Sequence, residues 1–295
     1  MTIDTDQTTI LPPAPRKRRW LSKDFLRFGL GFWLAFAWVV TILLLALSTF
    51  VIEWPSPYKQ NYSAIAAGPS GDYLLGTDHL GRDLLSRIIH GARVSFSVAF
   101  SSPLIGMTIG LILGMSAGYF GKWVDTAVGI LIDSILAFPN IVLAIAVLFF
   151  AGANLPNMVA VIAFYTIPQF TRIARANTLL YANREFVIAA RAQGASHLHI
   201  LLRELLPNVL IPVAAFSLLI MSFTIVLEGT LSFLGVGLPP PTATWGRMIA
   251  EGIDELADNP QIAFLPSLFM FLTILSLNMM GDRLRQLTDI KSGNS

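Results

Sequence analysis

About six stretches of this sequence are apolar over nearly the roughly 20 residues that a bilayer-crossing helix needs. They cover residues 29–52, 94–119, 126–150, 158–170, 209–234 and 262–280. The pattern leaves few folds open. In hydrocarbon every backbone N–H and C=O must be satisfied internally, so segments of this kind become packed helices. The fourth stretch is short and the fifth contains Glu228. Pro103, Pro139, Pro212 and Pro266 fall inside these stretches, where neighbouring helices can satisfy the freed backbone groups. Composition agrees: 54% of residues are hydrophobic and 13% charged, against about a quarter charged in soluble domains. The expected fold class is all-α, a polytopic membrane protein.

The positions of Lys and Arg set the expected orientation. Arg16, Lys17, Arg18, Arg19, Lys23 and Arg27 precede the first span, and Lys122 lies between the second and third. Arg172, Arg175, Arg184, Arg191 and Arg203 fall between the fourth and fifth, and Arg283, Arg285 and Lys291 close the chain. Alternating spans put all of these on one side, so both termini are expected in the cytoplasm. One discord is Arg82, Arg87 and Arg93, which fall outside beside Asp78 and Asp83. The start of the chain does not read as a cleaved signal peptide, because its first stretch is polar and the apolar run after it exceeds an h-region. Residues 1–28 are expected to be a cytoplasmic tail, 29–52 the first membrane helix and 53–93 an extracytoplasmic segment. Residues 94–282 would form the main membrane domain and 283–295 a second cytoplasmic tail. A net charge of +2, with basic residues confined to loops, suits membrane topology and lipid contact rather than nucleic acid. With no cysteine, the chain has no disulfide, thiol nucleophile or thiolate metal site.

Between the fourth and fifth spans lies a polar island, residues 172–207. Residues 185–193 are strong helix formers, Gly194 can close a helix in the left-handed region, and Ser196 can cap a second one. Leu198, Leu201, Leu202 and Leu205 then recur near helical spacing, and Pro207 opens or redirects the next segment. A helix, a turn and a second amphipathic helix joined to a span make a lever on which a cytoplasmic partner could dock. The competing reading is an amphipathic loop lying on the lipid surface.

Placed inside, this island resembles the cytoplasmic motif of permeases from binding-protein-dependent ABC importers, Glu-Ala-Ala, three residues, Gly, nine residues, Ile-x-Leu-Pro. Ala189, Ala190, Gly194, Leu206 and Pro207 fall at the matching spacing, while Ile188 stands for the Glu and Glu204 for the Ile. Three further segments are similar to the C-type permease of the dipeptide/oligopeptide/nickel family. These are the Gly76-Thr-Asp-His-Leu-Gly-Arg-Asp83 stretch, Leu231-Ser-Phe-Leu-Gly-Val-Gly237 with Trp245-Gly246, and Asn278-Met-Met-Gly-Asp-Arg-Leu-Arg285. The resemblance implies a type I ABC importer permease fold forming half of a translocation pathway. It further implies a homologous second permease, two ATP-binding subunits and an extracytoplasmic substrate-binding protein. The chain itself would hold no cofactor, ATP and Mg being used by the ATPases. Short peptides are the expected cargo, with a nickel complex, glutathione or another small solute as alternatives.

Two carboxylates stand in or near apolar spans, where an ionisable group suggests function. Glu228 could face the pathway or pair with a neighbouring helix. Asp133 reads as structural, with a pathway role as the alternative. In the outer segment, Asp83 could cap a short amphipathic helix carrying Leu84, Leu85, Ile88 and Ile89 inward, with Asp78, Arg82 and Arg87 as ion pairs. Gly114-Met-Ser-Ala-Gly118 matches a nucleophile-elbow pattern but lies inside a span. With Gly106 and Gly110 it reads instead as a close-packing helix face. His197 and His199 are too sparse for a metal site. No phosphate-binding Gly-x-x-x-x-Gly-Lys-Ser/Thr loop occurs, so ATP hydrolysis is not expected of this chain. An independent secondary transporter would call for paired inverted repeats, and none is evident.

Overall fold

A computed structural model describes residues 23–293. It is built from helices, and among the described residues the one β-type contact is an isolated bridge between Thr77 and Asp83. The expected tail over 1–28 lies mostly outside the described residues. The first helix, α1, starts at Lys23 and runs to Ser48, interrupted at Gly29. An irregular outer segment follows, holding a short 3-10 turn at Tyr62–Ala64.

The main bundle comprises α2 (Leu84–Phe120), α3 (Lys122–Leu136), α4 (Asn140–Ala151) and α5 (Leu155–Tyr181). The chain then passes through α6 (Glu185–Ala192), the single turn α7 (His197–His199) and a π-helical stretch, Ile200–Leu205. It continues as α8 (Leu206–Phe233), a short α9 (Trp245–Gly252) and α10 (Gln261–Gly293).

Four helical runs are long and apolar enough to cross a membrane: Phe28–Ser48, Leu84–Phe120, His197–Phe233 and Gln261–Leu287. The count is five if α3 and α4 are one span, but they meet at a 76° bend rather than forming the one continuous span expected over 126–150. Pro139 explains the break, since it cannot donate to the helix and biases the residue before it away from helical geometry. The fourth expected span, residues 158–170, is also revised. Instead of a short apolar run, α5 is 27 residues long, with Gln169, Arg172 and Arg175 in its second half. Those polar residues extend a helix that was legible from its apolar first half alone.

Helix packing follows the sequence stripes. Ala35, Val39, Ile42 and Ala46, spaced as one face of α1, are buried with Leu277 and Met280 of α10 and Met221 and Ile225 of α8. The glycine stripe of α2 lies directly on α5. A Cβ added at Gly110 would sit 2.5 Å from the Cβ of Phe170, and one at Gly114 2.4 Å from the carbonyl oxygen of Thr171. Small residues therefore set the α2–α5 distance, as expected of helices held by close backbone approach in lipid.

Candidate functional site

The polar island is folded tightly against one end of the bundle. Helix α6 ends in a Schellman motif: the N–H of Gly194 donates to Arg191 O at 3.1 Å and that of Ala195 to Ala190 O at 3.1 Å. This closure needs a residue at positive φ, and Gly194 supplies it at φ +80°. Ser196 then caps the following turn by accepting from the His199 N–H. The second amphipathic helix of the sequence reading is not a separate element. It is the first turns of a 37-residue helix, His197–Phe233, that runs on into the membrane. Its π-helical register, with the Leu206 N–H donating to Leu201 O, comes just before Pro207, which has no N–H to offer the next bond.

Val187 anchors α6 in a buried cluster with Ile200, Leu205 and Val209. Tyr119, near the end of α2, hydrogen-bonds His197 Nδ1 at 2.8 Å, and the Arg191 guanidinium lies 5.7 Å from its ring centre. Of the five motif residues, Ala189, Gly194 and Pro207 are exposed and Ala190 and Leu206 half-buried. Around them Phe186, Ile188, Leu198 and Leu202 present apolar side chains outward. The arrangement is a rigid, partly apolar knob fixed to the root of a membrane helix.

At the opposite end, the outer segment is tied down by a charge cluster. Asp83 caps α2 through Ser86, as expected, but the helix it opens is the whole of α2 rather than a short separate one. Arg82 Nε lies 2.6 Å and Arg87 Nε 3.3 Å from Asp78 Oδ2, with Asp78, Arg82 and Arg87 all buried. Sequence reasoning missed the other half of the network. Glu251 Oε2 receives Arg82 and Arg87, each at 2.9 Å, and Glu251 Oε1 receives Arg247 at 2.8 Å. The Arg247–Glu251 spacing, four apart on one helix, was a readable signal for an ion pair, but its partners across 164 and more positions were not. Asp78, His79 and Glu251 bring ligand atoms within 4.8 Å of one another. Guanidiniums already occupy both carboxylates, which makes this a poor donor set for a cation. Trp245, fully buried, wedges α9 beside the network and donates to Ile88 O at 3.0 Å.

Glu228 is 1% exposed. Its carboxylate accepts from Ser232 at 2.8 Å and from Ser95 of α2 at 3.2 Å, and Ser232 also receives Thr244 at 3.4 Å. It therefore joins α8 to α2 and to the loop before α9. Asp133 stands elsewhere, 72% exposed on α3 and paired with Arg172 at 2.9 Å. The two carboxylates do not share a site. In the closing motif, Asn278 Oδ1 receives Ser222 at 3.1 Å, and Gly281 lets α10 lie against Leu219 of α8.

This arrangement, a helical membrane bundle with an exposed lever at one end and a locked segment at the other, can be set against known proteins. The family described as "binding-protein-dependent transport system inner membrane component" matches residues 110–291. The glutathione transport system permease protein GsiD of Pectobacterium atrosepticum is 37% identical over 273 residues, 91% of each chain. The protein of that name from Escherichia coli O6:K15:H31 is 37% identical over 254 residues, 85% of this chain and 84% of its own. The chain belongs to this family. It is a permease subunit of an ABC importer, a multi-pass inner membrane component that works with ATPase and binding-protein partners. A solved structure of the inward-facing MetNI methionine ABC transporter carries the same fold. It gives a TM-score of 0.56 at 16% identity, over 68% of this permease and 96% of that chain.

Proposed function

We propose that this permease supplies one half of a pathway for short peptides, glutathione among them. In this reading it pairs with a second, homologous permease and is driven by two ATP-binding subunits that hold the ATP and Mg. The chain itself is not catalytic and contributes no cofactor. A binding protein delivers cargo to the end that carries the Asp78 cluster. Both termini and the 172–207 region face the cytoplasm, where the basic residues concentrate. Two named relatives at 37% identity are glutathione permeases, and glutathione is itself a tripeptide, which supports the cargo class.

One observation carries the reading: the knob formed by α6 and α7 exposes apolar surface yet is held rigidly on the membrane helix that follows it. Ile188 is 55% and Leu198 65% exposed, surface that a docking partner would cover. Closure of two ATPases would then move the knob, and with it the 37-residue helix, between two states of the bundle.

The test introduces charge where the fold tolerates it. Ala189→Glu and Leu198→Asp replace exposed side chains, so membrane abundance should match wild type. ATP-driven uptake and recovery of the ATPases with the permease should both fall, about tenfold or more if these are central docking positions. Normal co-purification and normal uptake by both variants would refute the docking assignment. Glutathione and dipeptides are the cargos to supply first.

A further inference from the structure

The most informative buried groups outside the lever and the charge cluster are on α5. Tyr165 is fully buried, yet its hydroxyl has no hydrogen-bond partner. One turn along, the side-chain carbonyl oxygen of Gln169 is also buried and unpartnered. An orphaned polar atom in a packed core lowers stability, so two in succession on one helix face call for an explanation.

Their surroundings supply one. Tyr165, Gln169, Arg172 and Ala176 recur at helical spacing and share one face of α5. Accessibility along that face is graded. Ala176 and Arg172 are exposed, Gln169 is half-buried, and Tyr165 is closed off. At the mouth, Arg172 pairs with Asp133 at 2.9 Å, their side chains 59% and 72% exposed. At the closed end, Tyr165 packs in one apolar cluster with Ala144 and Leu148 of α4 and Leu227 and Leu231 of α8. The cover on that side, α4, is a twelve-residue helix joined to α3 through a 76° bend.

We propose that this α5 face is the cargo-contacting strip of this half of the pathway, with α4 as its movable cover. The assignment rests on the peptide-importer reading above. The Arg172–Asp133 pair offers one charge of each sign to the carboxylate and ammonium of a short zwitterionic peptide. Gln169 both donates to and accepts from a peptide amide, and the Tyr165 hydroxyl meets the innermost polar group when α4 moves aside. The ion pair lies toward the lever, at the exposed end of the strip.

The experiment uses the complete importer with its binding protein in proteoliposomes. The permease has no cysteine, so Gln169→Cys introduces its sole thiol. A membrane-impermeant maleimide supplied from the lever side should label it. A dipeptide held at about ten times its Kd should slow that labelling about tenfold, because the occupied fraction is shielded. Tyr165→Phe and Gln169→Leu should each raise the KM for uptake about fivefold through lost cargo binding. Tyr165→Phe should leave the melting temperature unchanged or higher, since it deletes an orphaned hydroxyl. A merely structural tyrosine would not raise KM while holding or raising the melting temperature.

Labelling indifferent to peptide, or KM values within about twofold of wild type for both Tyr165→Phe and Gln169→Leu, would overturn the strip. If the wild-type importer accumulates neither dipeptides nor glutathione, the cargo reading fails first, and the ligand class assigned here fails with it.

Discussion

Gly114→Val is expected to yield almost no folded permease, while Gly129→Val, also on a helix, is expected to be recovered at near wild-type levels. The contrast comes from what each new side chain meets. At Gly114 a Cβ would lie 2.4 Å from Thr171 O, 2.7 Å from the Cβ of Ala174 and 2.8 Å from the backbone nitrogen of Arg175. Two of those three atoms are backbone, so relief requires α2 and α5 to separate along their shared seam. At Gly129 nothing lies within 4 Å. Overpacking a core costs about 1–3 kcal/mol when side chains can adjust, and here the obstacle is main chain, so about 3 kcal/mol or more is expected. Against a typical total of about 5–15 kcal/mol that is a large share. Monodisperse yield in mild detergent and melting temperature are the measurements. Equal values for the two variants would mean that the α2–α5 seam does not depend on its glycines. Gly106→Ala should also destabilise, because its methyl would meet both the hydroxyl of buried Thr166 and, at 2.9 Å, the Thr166 Cβ, which no rotation of the hydroxyl moves away.

The second large effect is expected at Asp78. Its carboxylate accepts the backbone N–H groups of Leu80 and Arg82 at 2.9 and 3.0 Å and also holds two buried guanidiniums. Asp78→Ala leaves Arg82 and Arg87, at 4% and 1% exposure, with Glu251 as their carboxylate, which Arg247 also engages. Removing one partner from a buried ion network costs about 3–5 kcal/mol, because the remaining charge stays desolvated. The melting temperature should drop, and the segment ahead of α2 should become susceptible to protease before the rest of the bundle. Arg87→Met added to Asp78→Ala should recover part of the loss by removing a charge left short of partners. If the double variant is no more stable than Asp78→Ala alone, the penalty lies in the lost turn hydrogen bonds and not in the stranded charge.

Most of the architecture was readable because membrane segments announce themselves by length and apolarity. The helix ends were less legible. Leu84–Ala92 is amphipathic and charged, so it resembled a separate surface helix, yet it continues into the span without interruption. Similarly, Arg172 and Arg175 suggested a loop, although α5 carries them as helix to Tyr181. In both places charged residues are paired across the bundle, with Asp78 and Glu251 at one end and Asp133 and Asp125 at the other. A local reading of hydropathy cannot see such partners. Gly194 and Ser196 were legible because their conformational demands are local. The burial of Glu228 was not, since it depends on Ser95, 133 positions away. Tyr165 and Gln169 gave no signal at all, being ordinary members of an apolar-looking stretch until their neighbours were known.

The unbroken helix from His197 to Phe233 has one more consequence. It begins in the exposed knob and ends beyond Glu228, which is bonded to α2 and adjoins the loop leading to α9. Such a rod carries work in both directions. If engagement of ATPases at one end changes the affinity of the other end for a partner by some factor, that partner must change nucleotide affinity by the same factor. Docking of a loaded binding protein should therefore be measurable as tighter or weaker ATP binding, with no cargo moved at all.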